Sequence, residues 1–89
     1  MYQNQHRIVL IVDDSLEDRE IYRRYLQQDN KNGYTILEAE SGEEGLELSA
    51  HNIDAVLLDF MLPDFDGLQL LRELKAKPHL KNLPIILLT

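Results

Sequence analysis

With 89 residues, 44% of them apolar and 28% charged, the chain has room for one domain with a modest core, since domains commonly run to about 100–150 residues. Its net charge of −7 argues against a nucleic-acid-binding surface, which needs clustered Lys and Arg to neutralise phosphates. The absence of cysteine excludes disulfides and thiolate metal sites and agrees with a cytoplasmic setting, no apolar run approaches the ~20 residues of a membrane span, and the polar start Met1–Arg7 is no signal peptide.

Ile8–Val12 is a β-branched run that stops at Asp13-Asp14 and reads as a first buried strand. Ser15 can cap the helix that follows, with Asp18 three residues on as a weak capping box. Within Leu16–Gln28 the pairs Ile21/Tyr25 and Tyr22/Leu26 are each four apart. They predict one apolar stripe with both tyrosines in the core, and a solvated face carrying Glu17-Asp18-Arg19-Glu20. Asp29–Gly33 supplies the stop, Gly33 being suited to a left-handed cap or turn.

Tyr34–Ala39 alternates partly and predicts a second strand at a sheet edge. Ser41-Gly-Glu-Glu44 is a capping-box signature opening a short helix to about Ala50, with Leu46 facing inward. Ala55–Leu58 then runs without a break into Asp59, and Pro63 and Gly67 turn the backbone sharply. That pattern suits a strand buried on both faces, with Asp59 at the carboxyl end where open α/β sheets place their ligands. Asp66 can cap a third helix whose Leu70, Leu71 and Leu74 share a face, and Pro78 ends it. Leu83–Thr89 is a fourth strand, with Pro84 tolerable at its start.

The order β-α-β-α-β-α-β implies an α/β fold with a parallel sheet and right-handed crossovers. Both sides of the last strand are apolar, Ile85 and Leu87 on one and Ile86 and Leu88 on the other. It expects cover on both, so residues 1–89 read as one domain incomplete at its C-terminus. An uncovered fourth strand also predicts a homodimer or larger association.

If the first and third strands are neighbours, about 4.8 Å apart, the carboxylates of Asp13, Asp14 and Asp59 converge. At an effective dielectric of ~20, each pair 4 Å apart costs on the order of 4 kcal/mol, so some protonate or a cation lies among them. With only oxygen ligands a hard ion is favoured, and an incomplete cage with room for water and phosphate suits Mg²⁺ better than Ca²⁺. Such a site permits phosphoryl transfer with Asp59 as nucleophile. Thr89, at the end of an adjacent strand, could donate to a phosphoryl oxygen, although alone it reads as a plain strand-end residue. Asp13-Asp14 alone would equally suit helix capping. Met61 and Phe65 suit loop packing, and His6, His51 and His79 suit the surface.

The ordered set Val12-Asp13-Asp14-Ser15, Leu57-Leu58-Asp59 with Met61, Pro63, Asp66 and Gly67, and Leu83–Thr89 resembles the receiver domain of two-component response regulators, collinearly over essentially the whole chain. The resemblance implies a flavodoxin-like, doubly wound fold of strand order 2-1-3-4-5, of which this chain carries β-α-β-α-β-α-β. It implies Asp59 as phosphoacceptor, Asp14 as a direct Mg²⁺ ligand, and Asp13 as a ligand directly or through water. Met61 would bind the ion through its backbone carbonyl, and Thr89 would be the switch hydroxyl. The donor would be a phosphohistidine on a histidine kinase or phosphotransfer protein. The module would be a signalling domain, with at most slow self-dephosphorylation and no membrane contact.

Receiver domains also carry a Lys at the end of a fifth strand, which lies outside these 89 residues, and Lys75, Lys77 and Lys81 do not match it. The segment by itself is therefore expected to phosphorylate poorly. The alternative from the enzyme class is a Mg²⁺-dependent phosphatase or phosphotransferase with an aspartyl nucleophile. Such enzymes commonly place a second Asp two residues on, where this chain has Met61.

Overall fold

The computed structural model describes residues 6–28 and 33–88. Four parallel strands, Arg7–Val12 (β1), Tyr34–Ala39 (β2), Ala55–Asp59 (β3) and Ile85–Leu88 (β4), pair in the order β2-β1-β3-β4. Between them run the helices Leu16–Gln27 (α1), Gly42–Leu48 (α2) and Gly67–Lys75 (α3), and a short 3-10 turn, Pro78–Leu80, follows α3. The elements are those expected, in the expected order, and β2 is an edge strand.

Register fixes which side chains share a face. Val9 pairs with Ala55, Ile11 with Leu57, and Leu57 with Ile86. Partners in a parallel ladder point the same way, so the alternate residues Leu10, Val12, Val56, Leu58, Ile85 and Leu87 form the other face. That second face carries the core: Leu10, Val12, Val56 and Leu58 are fully buried beneath Leu70 and Leu74 of α3 and Leu80. Leu71, the third residue of the expected α3 stripe, is half-buried at the margin of this cluster.

All three helices start at the capping residues expected. The Ser15 hydroxyl accepts from the Asp18 N–H at 3.2 Å, Ser41 from Glu44 at 3.1 Å, and the Asp66 carboxylate from Gln69 at 2.8 Å. The reciprocal half of each capping box is displaced. Glu44 reaches back to the N–H of Glu40, and the Ser15 N–H is taken by Asp13. α2 closes at Leu48, and Lys77 meets its C-terminal end, the ammonium donating to the Leu46 carbonyl and to the Ser49 hydroxyl. His79, exposed as expected, lies 2.9 Å from the Ser49 carbonyl.

The α1 stripe differs from the expectation. Tyr22 and Leu26 turn toward the sheet, whereas Ile21 and Tyr25 are exposed, Tyr25 at 71%. Arg19, expected on the solvated face, is 8% exposed. The inward face runs through 19, 22 and 26, an i, i+3, i+7 pattern, because α1 lies over β1 and β2, where Glu38 offers Arg19 an acceptor. A four-residue spacing alone cannot say which of two adjoining stripes meets the sheet. Met61 also departs from the loop packing expected, at 73% exposure, while Phe65 is half-buried against α2. α1 is capped at Gln28 in the right-handed region.

Candidate functional site

β1 and β3 lie side by side, and each ends in a carboxylate at the same edge of the sheet. Asp13 follows the last residue of β1, Asp14 comes next, and Asp59 closes β3. One carboxylate oxygen from each of these three lies within 4.8 Å of the other two. The convergence expected from the strand pattern is therefore present.

Local hydrogen bonds leave each carboxylate partly free. Asp13 Oδ1 accepts from the Ser15 N–H at 2.9 Å, and Asp59 Oδ1 accepts from the Met61 N–H at 3.2 Å. Each is an Asx turn that spends one oxygen on the backbone two residues on and leaves the second for the pocket. Among the described residues the Asp14 carboxylate makes no hydrogen bond, and it is exposed. Asp13 is the buried member at 3% exposure, and Asp59 is half-buried.

The electrostatics follow from this crowding. Burial is the main reason that the Asp13 carboxyl titrates above its ordinary value. The charges of Asp59, Asp18 and Asp14 push the same way, against the Ser15 N–H, which favours the ionised form. The Tyr22 phenol is also raised, first by burial and then by the charges of Asp13, Asp18 and Asp59. A depression of about 470 Å³ beside Asp14 is walled by Glu40, Glu43, Glu44 and Glu47, so the surroundings add negative charge. Lys75 and Lys77 give no relief. They are bound to carbonyls before β4 and at the end of α2.

The donor set fits a small hard cation. It is all oxygen and held at one rim, and oxygens around an octahedral Mg²⁺ lie about 2.9–4.2 Å apart, close to the spread of the three carboxylates. The segment after Asp59 is held from two sides. The Gly67 N–H donates to the Phe60 carbonyl at 2.8 Å, and Met61 bridges to Asp66. The Asp64 carboxylate accepts from the first N–H groups of α2, Gly42 at 2.8 Å and Glu43 at 2.9 Å. Those two donors, Glu43 first, hold the Asp64 carboxyl below its ordinary value. Thr89 lies outside the described residues.

The family model for the response regulator receiver domain matches residues 9–89. The chain belongs to this family. Receiver domains generally bind Mg²⁺ at an acidic pocket and work with histidine kinases or phosphotransfer proteins, and this chain gathers Asp13, Asp14 and Asp59 into an acidic cluster. Among curated relatives, the chain is 39% identical over 90 residues to the transcriptional regulatory protein ResD of Bacillus subtilis (strain 168), covering all of this chain and 35% of that protein. It is 41% identical over 85 residues to the sensor histidine kinase CheAY of Helicobacter pylori (strain ATCC 700392 / 26695), covering 92% of this chain and 10% of that one. The chain thus spans about a third of the length of ResD and a tenth of that of CheAY.

Solved structures agree. The N-terminal domain of a response regulator receiver protein from Methanoculleus marisnigri JR1 superposes with a TM-score of 0.81 at 36% identity, covering 93% of this chain and 66% of that one. The chemotaxis response regulator CheY4 of Vibrio cholerae gives 0.86 at 26% identity, covering 93% and 68%. The fold is the flavodoxin-like receiver fold. Its outer order β2-β1-β3-β4 is the 2-1-3-4 portion of the expected arrangement. Two residues that shape this site, Arg19 and Asp64, escaped the sequence reading. Arg19 had a signal in its three- and seven-residue spacing to Tyr22 and Leu26. Asp64 had none, since its partners lie 21 and 22 residues away.

Proposed function

We propose that the chain accepts a phosphoryl group from a phosphohistidine onto Asp59. The observation that carries this reading is the gathering of three carboxylate oxygens within 4.8 Å at the carboxyl edge of a parallel sheet, in a family of phosphorylated receivers. The second oxygen of Asp59 attacks phosphorus in line, a new P–O bond forms as the P–N bond breaks, and the imidazole leaves with the electron pair and takes up a proton.

Asp14, Asp13, Asp59 and the Met61 carbonyl would hold Mg²⁺. When bound, the ion neutralises charge on the pocket and on the phosphoryl oxygens. The chain's own residues do the rest. The Ser15 and Met61 N–H groups orient Asp13 and Asp59, and the brace between Asp64 and α2 steadies the segment that presents the Met61 carbonyl. The Thr89 hydroxyl would donate to a phosphoryl oxygen. The partner would be a histidine kinase or phosphotransfer protein, and the module would act as a cytoplasmic signal receiver rather than as a turnover enzyme.

The test is incubation with Mg²⁺ and a small acyl or amido phosphate, followed by intact-mass measurement. Wild type should gain a hydroxylamine-labile phosphoryl group, slowly and on only a fraction of molecules because the fifth-strand Lys is not among these residues, and Asp59→Asn none. Equal uptake by the variant would overturn the assignment. Rapid multiple turnover of the donor would favour the aspartyl phosphatase instead.

A second reading concerns association. β4 is an edge of the sheet among the described residues, and Ile86 on it is 54% exposed, so backbone pairing between two copies of this segment is open to it. Sedimentation should show dimers that grow with concentration. A monomer across the whole range would rule this out.

A further inference from the structure

We propose that Arg19 is a positioning residue for the metal pocket, acting through the backbone of Asp13. This deepens the reading of Asp13, Asp14 and Asp59 as a Mg²⁺ site and rests on it. The guanidinium is buried under α1 and divides its donors between two elements. Nη1 donates to the Asp13 carbonyl at 2.7 Å, and Nε donates to Glu38 Oε1 on β2 at 2.9 Å. Arg23, one turn further along α1, pairs with the second oxygen of Glu38. Glu38 is opposite Ile11 in the β1–β2 ladder, so the anchor stands on the sheet itself.

The consequence is that every backbone polar group of Asp13 is fixed. Its N–H donates to the Ala39 carbonyl at 3.0 Å, and its C=O accepts from Arg19. The C=O of Asp13 and the N–H of Asp14 belong to one rigid peptide plane. Holding one end of that plane sets the direction in which Asp14 leaves the strand. This matters because the Asp14 carboxylate has no hydrogen bond of its own among the described residues. Its aim toward the pocket is set by the backbone behind it.

A forked guanidinium is required for this. A lysine ammonium is a point charge at the end of a flexible chain, and from α1 it can neutralise Glu38 but does not span to the Asp13 carbonyl as well. Arg19 differs here from Arg23, which shares Glu38 but, among the described residues, makes no hydrogen bond to Asp13.

The experiment is a Mg²⁺ titration followed by backbone amide NMR, with thermal stability measured separately without divalent ions. Loss of a residue that orients a metal ligand typically costs about 10- to 100-fold in affinity. Arg19→Gln and Arg19→Lys should both raise the Kd for Mg²⁺ about tenfold or more, with altered metal-free amide shifts at Asp14 and Ser15. Arg23→Gln should stay within about threefold of wild type, because the Asp13 contact survives. A purely structural Arg19 would lower the melting temperature and leave the Kd of the folded protein unchanged, which overturns the proposal. Equal weakening by Arg23→Gln overturns it too, since the charge network would then be the cause. If Arg19→Gln does not fold, the double variant Arg19→Met/Glu38→Leu removes both buried charges and should show the same loss. Absence of any Mg²⁺ response in wild type would instead sink the metal site.

Discussion

Replacing Gly67 by alanine tests how tightly the turn after Asp59 is built. An added Cβ would lie 2.9 Å from Phe60 Cα, 3.0 Å from Phe60 O and 3.3 Å from Asp59 O, whereas ordinary contact begins near 3.4 Å. All three are backbone atoms and cannot swing aside. The first turn of α3 or the 59–60 backbone must move by about half an ångström, stretching the 2.8 Å bond from Gly67 N–H to Phe60 O. Gly67 has no positive φ, so close approach, not a left-handed backbone, demands glycine. Overpacking costs typically about 1–3 kcal/mol, three rigid backbone contacts put this site at about 2–3 kcal/mol of that range, and the helix-propensity gain of alanine offsets ~1 kcal/mol. The net loss of about 1–2 kcal/mol corresponds to a melting temperature lower by ~4–16 °C in a domain of this size. Scanning calorimetry of Gly67→Ala beside Gly45→Ala measures it. The added Cβ at Gly45 meets only side-chain atoms of Val12, at 3.0 and 3.2 Å, which can give more readily. An unchanged melting temperature for Gly67→Ala, or a larger drop for Gly45→Ala, would refute the reasoning.

Three further outcomes follow from the charges. Because burial raises the Asp13 carboxyl above its ordinary value, its ionised form destabilises the metal-free fold at neutral pH, and this cost fades as pH falls through the raised value. Asp13→Asn should therefore melt higher than wild type in EDTA. Mg²⁺ at ten times its Kd should stabilise wild type by about 1.4 kcal/mol, or roughly 6–11 °C, and Asp13→Asn/Asp14→Asn should lose that increment; persistence of the increment would dismiss the site. For Asp64 the sign is opposite. Its depressed value means a stabilising contribution that is complete above the ordinary aspartate value of about 3.9 and is lost as pH falls through the folded-state value. The gap in melting temperature between wild type and Asp64→Asn should be widest near neutral pH and close in acid, and a pH-independent gap would contradict the brace.

The sequence by itself determined the strands, the helix starts and the three carboxylates. Each of these is a local signal: an uninterrupted apolar run before Asp13 and Asp59, or a Ser or Asp whose oxygen reaches an N–H three residues on. Parallel strands end at a common edge, so Asp13, Asp14 and Asp59 would meet if β1 and β3 were neighbours, an adjacency that the resemblance implied and the structure shows. Only the tertiary structure decided which stripe of α1 faces the sheet, because Ile21/Tyr25 and Tyr22/Leu26 have the same spacing and differ only in what lies opposite. For the same reason it alone showed Arg19 buried between Glu38 and the Asp13 carbonyl, and Asp64 closing the start of α2. A charge can be buried, as Arg19 is, only where a partner is waiting, and the partners of both Arg19 and the exposed Asp64 come from other elements of the fold.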